Sequence, residues 1–500
     1  MDMTPEFAVV SLLIIPLIAA VLIPLAGRMP NIREGISVIT AIVLLGMVIW
    51  LVRYVGAAET NRPEFFLIQF AGSFELKLKL EPLGATFAAI ASSLWLVNTF
   101  FTIGYMRGNH EKHQTRFYTC VAIAISAVMG IASAANLITL FVFYEILTIS
   151  TFPLVTHKGD AAARRSGRIY LLILMGTSLG FLLPAIIGTH VLAGTTDFAV
   201  GGVFPKGFSL TAASILLFLF AFGIGKAALM PVHPWLPNAM VAPTPVSALL
   251  HAVAVVKAGV FTMLKVVVYI FGPELASQTQ AASVLTWVAA ISIVLASIIA
   301  LRKDNLKARL AYSTISQLAY ITFGAMLAAP MAIMGGALQI IMHAWGKITL
   351  FMCAGAIYTV AHRTEISKLN GLGRAMPFVF GAFLVGSLSI IGLPPLGGSW
   401  PKYFLLVGAL DAGQQALMAA LILSSILNVA YLVPVAIRGF MLPPDDADAD
   451  EKIKSIRGQY RFVRFAPVFT AFGAFALFFA IGPLVEFLKP ILPVTMRGGF

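Results

Sequence analysis

The chain has 500 residues, of which 59% are hydrophobic and only 11% charged, with a formal net charge of +13. That apolar share is far above the usual share of a soluble globular protein. Apolar stretches of about 18 residues or more recur along the whole length, each long enough to cross a bilayer as a helix. The composition therefore excludes a soluble enzyme and a nucleic-acid-binding protein, and predicts an all-α polytopic membrane protein.

In chain order, fourteen spans are expected, at roughly 7–27, 35–55, 83–105, 116–134, 137–156, 167–190, 211–230, 243–268, 281–301, 309–329, 332–360, 377–411, 415–440 and 463–488. The first run, Phe7 to Ala26, lacks a basic flank and a small-residue cleavage site, so it reads as a retained helix. With the N-terminus outside, 22 of the 34 Lys and Arg residues fall in inner loops, seven fall in outer segments and five lie inside spans. This distribution follows the positive-inside rule and places both termini outside. The net charge thus describes orientation rather than an acidic partner.

Between spans two and three, Phe65–Phe70 and Phe74–Leu80 flank Ala71-Gly72-Ser73. The second run alternates apolar and polar residues, which predicts a small outer β-hairpin. Between spans thirteen and fourteen, the acidic run Asp445–Glu451 and then Lys452–Tyr460 predict a solvated inner loop. Cys120 and Cys353 stand alone in apolar spans and read as packing residues.

Five lysines lie inside spans, Lys226, Lys257, Lys265, Lys347 and Lys402, together with one well-buried acid, Glu145. A charged side chain at mid-bilayer costs roughly 3 kcal/mol on insertion scales. Five lysines cannot all stay charged beside one carboxylate. Burial favours the neutral amine, and a nearby opposite charge favours the ammonium. A lysine whose proton affinity depends on its partner's distance is a workable relay element. Glu145 and Lys226 are expected to form a buried ion pair. His251 shares a span with Lys257. His343 and Lys347 are four residues apart, hence on one helix face. Histidine can pass protons through both ring nitrogens. Lys265 lies near the outer end of its span, where it can snorkel. The sites expected to carry chemistry are Glu145, Lys226, Lys257, Lys347, Lys402, His251 and His343. No Cys/His/Asp cluster has metal-ligand spacing, and no flavin, iron–sulfur or nucleotide motif is present, so no cofactor is expected.

Two spans are interrupted by proline. The seventh ends in Met230-Pro231-Val232-His233-Pro234-Trp235-Leu236-Pro237, and the twelfth contains Gly392-Leu393-Pro394-Pro395 with Lys402 after it. Proline removes a donor and clashes with the preceding turn, so each helix must break. Broken helices in corresponding positions mark transporters built from inverted repeats. Spans four to eight and nine to thirteen are five each, and an odd number reverses orientation between copies. The expected division is 1–115 (three helices with the hairpin), 116–268 and 281–440 (the repeats) and 441–500 (inner loop and last helix). Lys402 is then the counterpart of Lys226, and the path enters on the inner side near spans seven and eight and leaves on the outer side in the second repeat.

Taken together, these residues resemble the antiporter-like membrane subunits shared by Mrp cation/proton antiporters, respiratory complex I and membrane-bound hydrogenases. The resemblance runs from about span three to span thirteen. It is carried by Phe143-Tyr144-Glu145, by Lys226 with the proline-rich run after it, by Ala242-Pro243-Thr244-Pro245-Val246-Ser247-Ala248, by Arg309 to Gln317, by His343-Ala344-Trp345-Gly346-Lys347 and by Gly392-Leu393-Pro394-Pro395. It implies fourteen helices with two inverted five-helix units and a polar axis at the membrane midplane. Within the superfamily the chain looks most like the D-type subunit of Mrp antiporters. Little follows span fourteen, whereas the largest complex I subunit has a long lateral helix, and Lys402 stands where one complex I relative has glutamate. His233-Pro234-Trp235 and Gly346 depart from the family's commoner residues without touching a titrating group. The implied function is proton relay in a sodium(cation)/proton antiporter of a bacterial cell membrane, not an enzyme. The implied partners are other membrane subunits of the same complex. Sodium needs several hard oxygen ligands, so with one buried carboxylate this chain is expected to handle protons while sodium passes through a partner or an interface. The alternative is the equivalent subunit of complex I or a hydrogenase. A third reading, a non-transporting scaffold, leaves the buried lysines unexplained.

Overall fold

The computed structural model describes residues 4–58, 62–70, 74–444 and 461–499. The hairpin turn at 71–73 and the expected inner loop at 445–460 lie outside the described residues.

The chain folds into α1 (Pro5–Leu25), α2 (Pro30–Ala57), α3 (Pro82–Gly108), α4 (Gln114–Ala132), α5 (Leu137–Val155), α6 (Ala161–Ala193), α7 (Leu210–Gly223), α8 (Thr244–Phe271), α9 (Gln280–Leu301), α10 (Leu306–Leu327) and α11 (Pro330–Ala361). After these come α12, in two pieces (Pro377–Ile391 and Ser399–Asp411), α13 (Gln415–Phe440) and α14 (Arg461–Phe479, continued at an angle by Ile481–Leu488). Among the described residues, ten helices are long and apolar enough to cross a membrane alone, or up to 11 with the bent pair of α14 counted as one span. The fourteen expected spans add α7, α10 and α12, which are too short, too polar or too interrupted to meet that standard singly.

Polar residues set several of the starts. Asn136 accepts from the Thr139 amide at 2.8 Å and opens α5, Asp160 accepts from the Ala163 amide at 2.7 Å and opens α6, and Asn305 opens α10 in the same way. Each satisfies a donor that a helix start leaves free. The expected hairpin is β1 (Glu64–Phe70) against β2 (Phe74–Lys79), antiparallel, with Glu64 opposite Lys79. It docks on the start of α5 through the Lys77 amide, which donates to Thr139 Oγ1 at 3.0 Å.

The helices sort by burial. In α8 the whole membrane-length window is buried, and in α11 94% of it, against 28% in α2. Thus α8 and α11 form the centre. Leu172, Val191 and Ile39 belong to a perimeter whose large apolar side chains are exposed. Ionisable groups inside a membrane protein face the interior, and the two central helices hold His251, Lys257, Lys265, His343 and Lys347.

The prolines act where expected. Helix α7 stops at Gly223, the chain makes one tight turn at Gly225–Ala227, and helix resumes only for Trp235–Asn238. The Trp235 indole N–H donates to the Gly225 carbonyl at 3.0 Å and ties the break together. Gly259 of α8 packs directly on this turn, and a Cβ there would fall on the main chain of Lys226 and Ala227. Gly398 does the same at the α12 break, against the Ser389 carbonyl. Both breaks are therefore held by close backbone approach.

Candidate functional site

Lys226 sits on the tight turn after α7 and is fully buried. Its Nζ donates to the Tyr144 carbonyl at 2.8 Å and to Thr148 Oγ1 at 2.6 Å, and lies 3.2 Å from the centre of the Tyr144 ring. Its backbone N–H donates to the Tyr144 hydroxyl at 3.1 Å. The expected ion pair with Glu145 is not formed: no carboxylate lies within 4.0 Å of Lys226 among the described residues. The reason is helical. Tyr144 and Thr148 are four apart and share the face of α5 turned to the break, while Glu145 is one residue, about 100°, further round. Both Glu145 carboxylate oxygens are buried without a hydrogen-bond partner.

Lys257 of α8 and His343 of α11 meet directly, Nζ to Nδ1 at 2.5 Å, and both are buried. The other ring nitrogen of His343, Nε2, has no partner. His251 lies in a wide turn of α8, Leu249–Val253, with its ring against Phe351 at 4.7 Å between centroids and neither ring nitrogen bonded. Lys347 shares the helix with His343 but turns to α10, donating to Ser313 Oγ at 2.5 Å and to the Leu310 carbonyl at 3.4 Å. Lys402 donates to the Ile391 carbonyl at 2.7 Å and to Ser425 Oγ at 2.8 Å. Ile391 is the last residue before the α12 break, so the lysine satisfies a carbonyl that the break has freed. Lys402 is 8% exposed and borders a cavity of about 590 Å³ together with Gly392, Trp400 and Phe478.

Lys265 does not snorkel. It is fully buried, 2.6 Å from Glu81 Oε1 and 2.7 Å from the Ala134 carbonyl, with its Nζ 4.2 Å from the Phe198 ring centre. Glu81, placed just before α3, does not stand out in the sequence, nor does Glu34 near the start of α2. Glu34 is buried and held by Arg107 and Arg33. Lys307, counted with the inner loops, donates to the Ala242 carbonyl at 2.6 Å and lines a cavity of about 280 Å³ with Lys158, Tyr105 and Thr244. On the same side His157, just past α5, is held at about 4, below the usual histidine value, by burial first and Arg116 second. The hydroxyl partners Thr148, Ser313 and Ser425 also escape a reading of the sequence. A serine or threonine within one turn of a motif residue is their only signal.

A helical bundle with broken helices and buried lysines and histidines between them defines an antiporter-like membrane subunit. The chain belongs to the family described as NADH:quinone oxidoreductase/Mrp antiporter, TM, whose model matches residues 134–428. It is similar to NAD(P)H-quinone oxidoreductase subunit 5 of Paulinella chromatophora (31% identity, 68% of this chain, 53% of that one). It is also similar to NADH-quinone oxidoreductase subunit N of Desulforudis audaxviator (29% identity, 76% of each). The chain spans about half the length of the subunit 5 relative. In three dimensions it resembles a chain of the Mrp complex from Dietzia sp. DQ12-45-1b, with TM-score 0.84, 22% identity, and 98% and 97% of the two chains covered. A chain of the archaeal membrane-bound sulfane sulfur reductase matches with TM-score 0.81, 21% identity and 98% and 99% coverage.

Proposed function

We propose that this chain is the proton-translocating subunit of a multisubunit sodium(cation)/proton antiporter of a bacterial membrane, with both termini outside. The observation that carries the reading is the set of four lysines, Lys226, Lys257, Lys347 and Lys402, buried at membrane depth with no carboxylate within 4.0 Å among the described residues. A chain that only filled space would have no use for them. In the mechanism, Glu145 sets the charge state of Lys226 when the two approach, and the Lys257–His343 contact passes the proton between the two inverted five-helix units, 116–268 and 281–440. Lys347 hands the proton toward Lys402, and sodium crosses through a partner subunit or an interface.

Near-complete mutual coverage holds for the Mrp chain and for the chain of the sulfane sulfur reductase alike, so the fold is compatible with both readings. The names of the sequence relatives support the second reading, an equivalent subunit of a redox-driven complex. The two are separated with everted vesicles holding the complete complex with its co-purifying subunits. An antiporter discharges an imposed pH gradient when sodium is added, without an electron donor. A redox-driven subunit moves protons only when donor and acceptor are supplied.

A further inference from the structure

On the side that bears the hairpin, a cavity of about 720 Å³ lies between the hairpin, the start of α3, the end of α8 and the segment that follows α14. Six ionisable side chains line it: Arg62, Lys79, Glu81, Glu486, Lys489 and Arg497. In the proposed orientation only seven Lys and Arg residues fall on this side, and four of them, from two segments far apart in sequence, meet at this one cavity. Most of the charges are matched. Glu81 lies 2.6 Å from Lys265, Glu486 3.8 Å from Lys489, and Lys79 3.1 Å from Glu64. The two arginines are not. Arg62 makes no hydrogen bond or ion pair among the described residues. Arg497 donates through Nε to the Leu492 carbonyl at 2.9 Å and through Nη2 to the Pro490 carbonyl at 3.3 Å, which fixes the guanidinium and leaves Nη1 free.

We propose that the guanidiniums of Arg62 and Arg497 bind the phosphate of an anionic phospholipid from the leaflet on the hairpin side. Both acids of the lining already have a lysine, so the cavity keeps a surplus of positive charge for an incoming anion. Arginine suits a phosphate in particular, because its planar fork meets two phosphate oxygens at once. Basic pockets between membrane helices take lipid headgroups for the same reason. Part of the lining is apolar and exposed, Val200 by 50% and Val494 by 77%. That surface suits a glycerol backbone and the first acyl carbons, for which a free inorganic ion has no use. A zwitterionic lipid brings its own ammonium, which Lys79 and Lys489 repel. The bound lipid ties the hairpin to the segment after α14, and the site serves an antiporter and a redox-driven complex equally.

The test uses the complete complex, stripped of loosely held lipid by detergent washing, with phosphatidylglycerol, phosphatidylcholine or inorganic phosphate added back. The readouts are the phosphatidylglycerol retained per complex and the temperature of the unfolding transition. Phosphatidylglycerol should raise the transition of the unaltered complex, because a ligand of the folded state stabilises it, and the other two should not. Arg62→Gln breaks no contact within the described protein, so it removes the charge without a structural cost. Arg62→Gln and Arg497→Gln should each retain one phosphatidylglycerol fewer per complex and show a smaller shift, with the same subunits co-purifying. Retention and shift equal to those of the unaltered complex in either variant overturn the proposal. An equal shift with inorganic phosphate replaces the lipid by a free anion and overturns it too. Loss of a co-purifying subunit from the variants, with lipid retention unchanged, assigns the cavity to a partner protein instead.

Discussion

At the scale of single residues, Lys226 and Lys402 solve one problem in two ways. Each sits at a broken helix and each finds oxygen acceptors. Lys226 uses the Tyr144 carbonyl and Thr148 on a neighbouring helix, and Lys402 uses the Ile391 carbonyl of its own broken helix. An amine and an ammonium both donate, so these pockets hold the side chain in either state. Glu145 is different, because its buried oxygens have no partner. A buried polar group left unpaired is costly, and such orphans point to function. Glu145→Gln, nearly isosteric and uncharged, should therefore abolish proton-coupled exchange while leaving assembly intact, checked by vesicle fluorescence and by co-purification of the subunits. Exchange at the unaltered rate would remove Glu145 from the mechanism. At the other break, Lys402→Ala should stop exchange and Lys402→Glu should keep part of it. An ionised glutamate cannot donate to the Ile391 carbonyl, and a protonated one can, so the remaining exchange in Lys402→Glu should decline as pH rises. A flat pH profile would show that the contact does not matter.

At the scale of elements, the ion pair of Lys265 sits where helix ends converge and fastens them. Glu81 before α3, Lys265 on α8 and the Ala134 carbonyl after α4 join three segments. Removing one partner of a buried pair costs about 3–5 kcal/mol, whereas replacing both by apolar groups is often neutral. Thermal denaturation of the complex should show Glu81→Gln alone lowering the transition clearly, and Glu81→Leu with Lys265→Met lowering it less. Equal losses would mean the pair is not coupled. On the inner side, His157 is held at about 4 when folded and titrates near its usual 6.5 when unfolded. The unfolded chain therefore binds more protons between these values, and stability falls as pH drops from 6.5 toward 4. His157→Gln should flatten that slope, and an unchanged slope would assign it elsewhere. The neighbouring Glu111 does not supply it, because burial holds its carboxyl above the usual value and so acts in the opposite sense. The elements themselves were largely legible: prolines 231, 234 and 237 marked one break, Pro394 and Pro395 the other, and the alternation in Phe74–Leu80 marked the hairpin. The wide turns at Ser178–Leu182, Leu249–Val253 and Val267–Phe271 were not, because they depend on neighbours rather than on breaking residues. The same limit explains why the Glu145–Lys226 pair was expected and is not found. Spacing places Glu145 on α5, but only the rotation of α5 against the break decides that Tyr144 and Thr148 face the lysine.

At the scale of the whole molecule, the question is whether the buried groups act in series or as two separate routes. The two central helices bring one pair of titratable side chains into direct contact, Lys257 of α8 and His343 of α11, which links the two proposed five-helix units. From there Lys347 lies one turn further along α11, bonded to Ser313 of α10, and Lys402 stands at the α12 break, bonded to Ser425 of α13. The hydrogen bonds of Lys226, Lys347 and Lys402 among the described residues each stay within one of the two proposed units. A series path has a quantitative signature. Breaking any one link stops the flow, so Lys226→Ala, Lys257→Ala, Lys347→Ala and Lys402→Ala should each reduce flux to a similar floor. The double variant Lys226→Ala/Lys402→Ala should be no worse than either single one, because effects of residues that act as a unit are strongly non-additive. Two independent half-paths, each spanning the membrane, predict the opposite: each single variant keeps roughly half the flux, and the double variant loses what remains, as effects at separate sites add. Initial rates of gradient discharge at matched amounts of assembled complex distinguish these outcomes, and additive losses would sink the single-path arrangement even if every lysine proved essential to its own half.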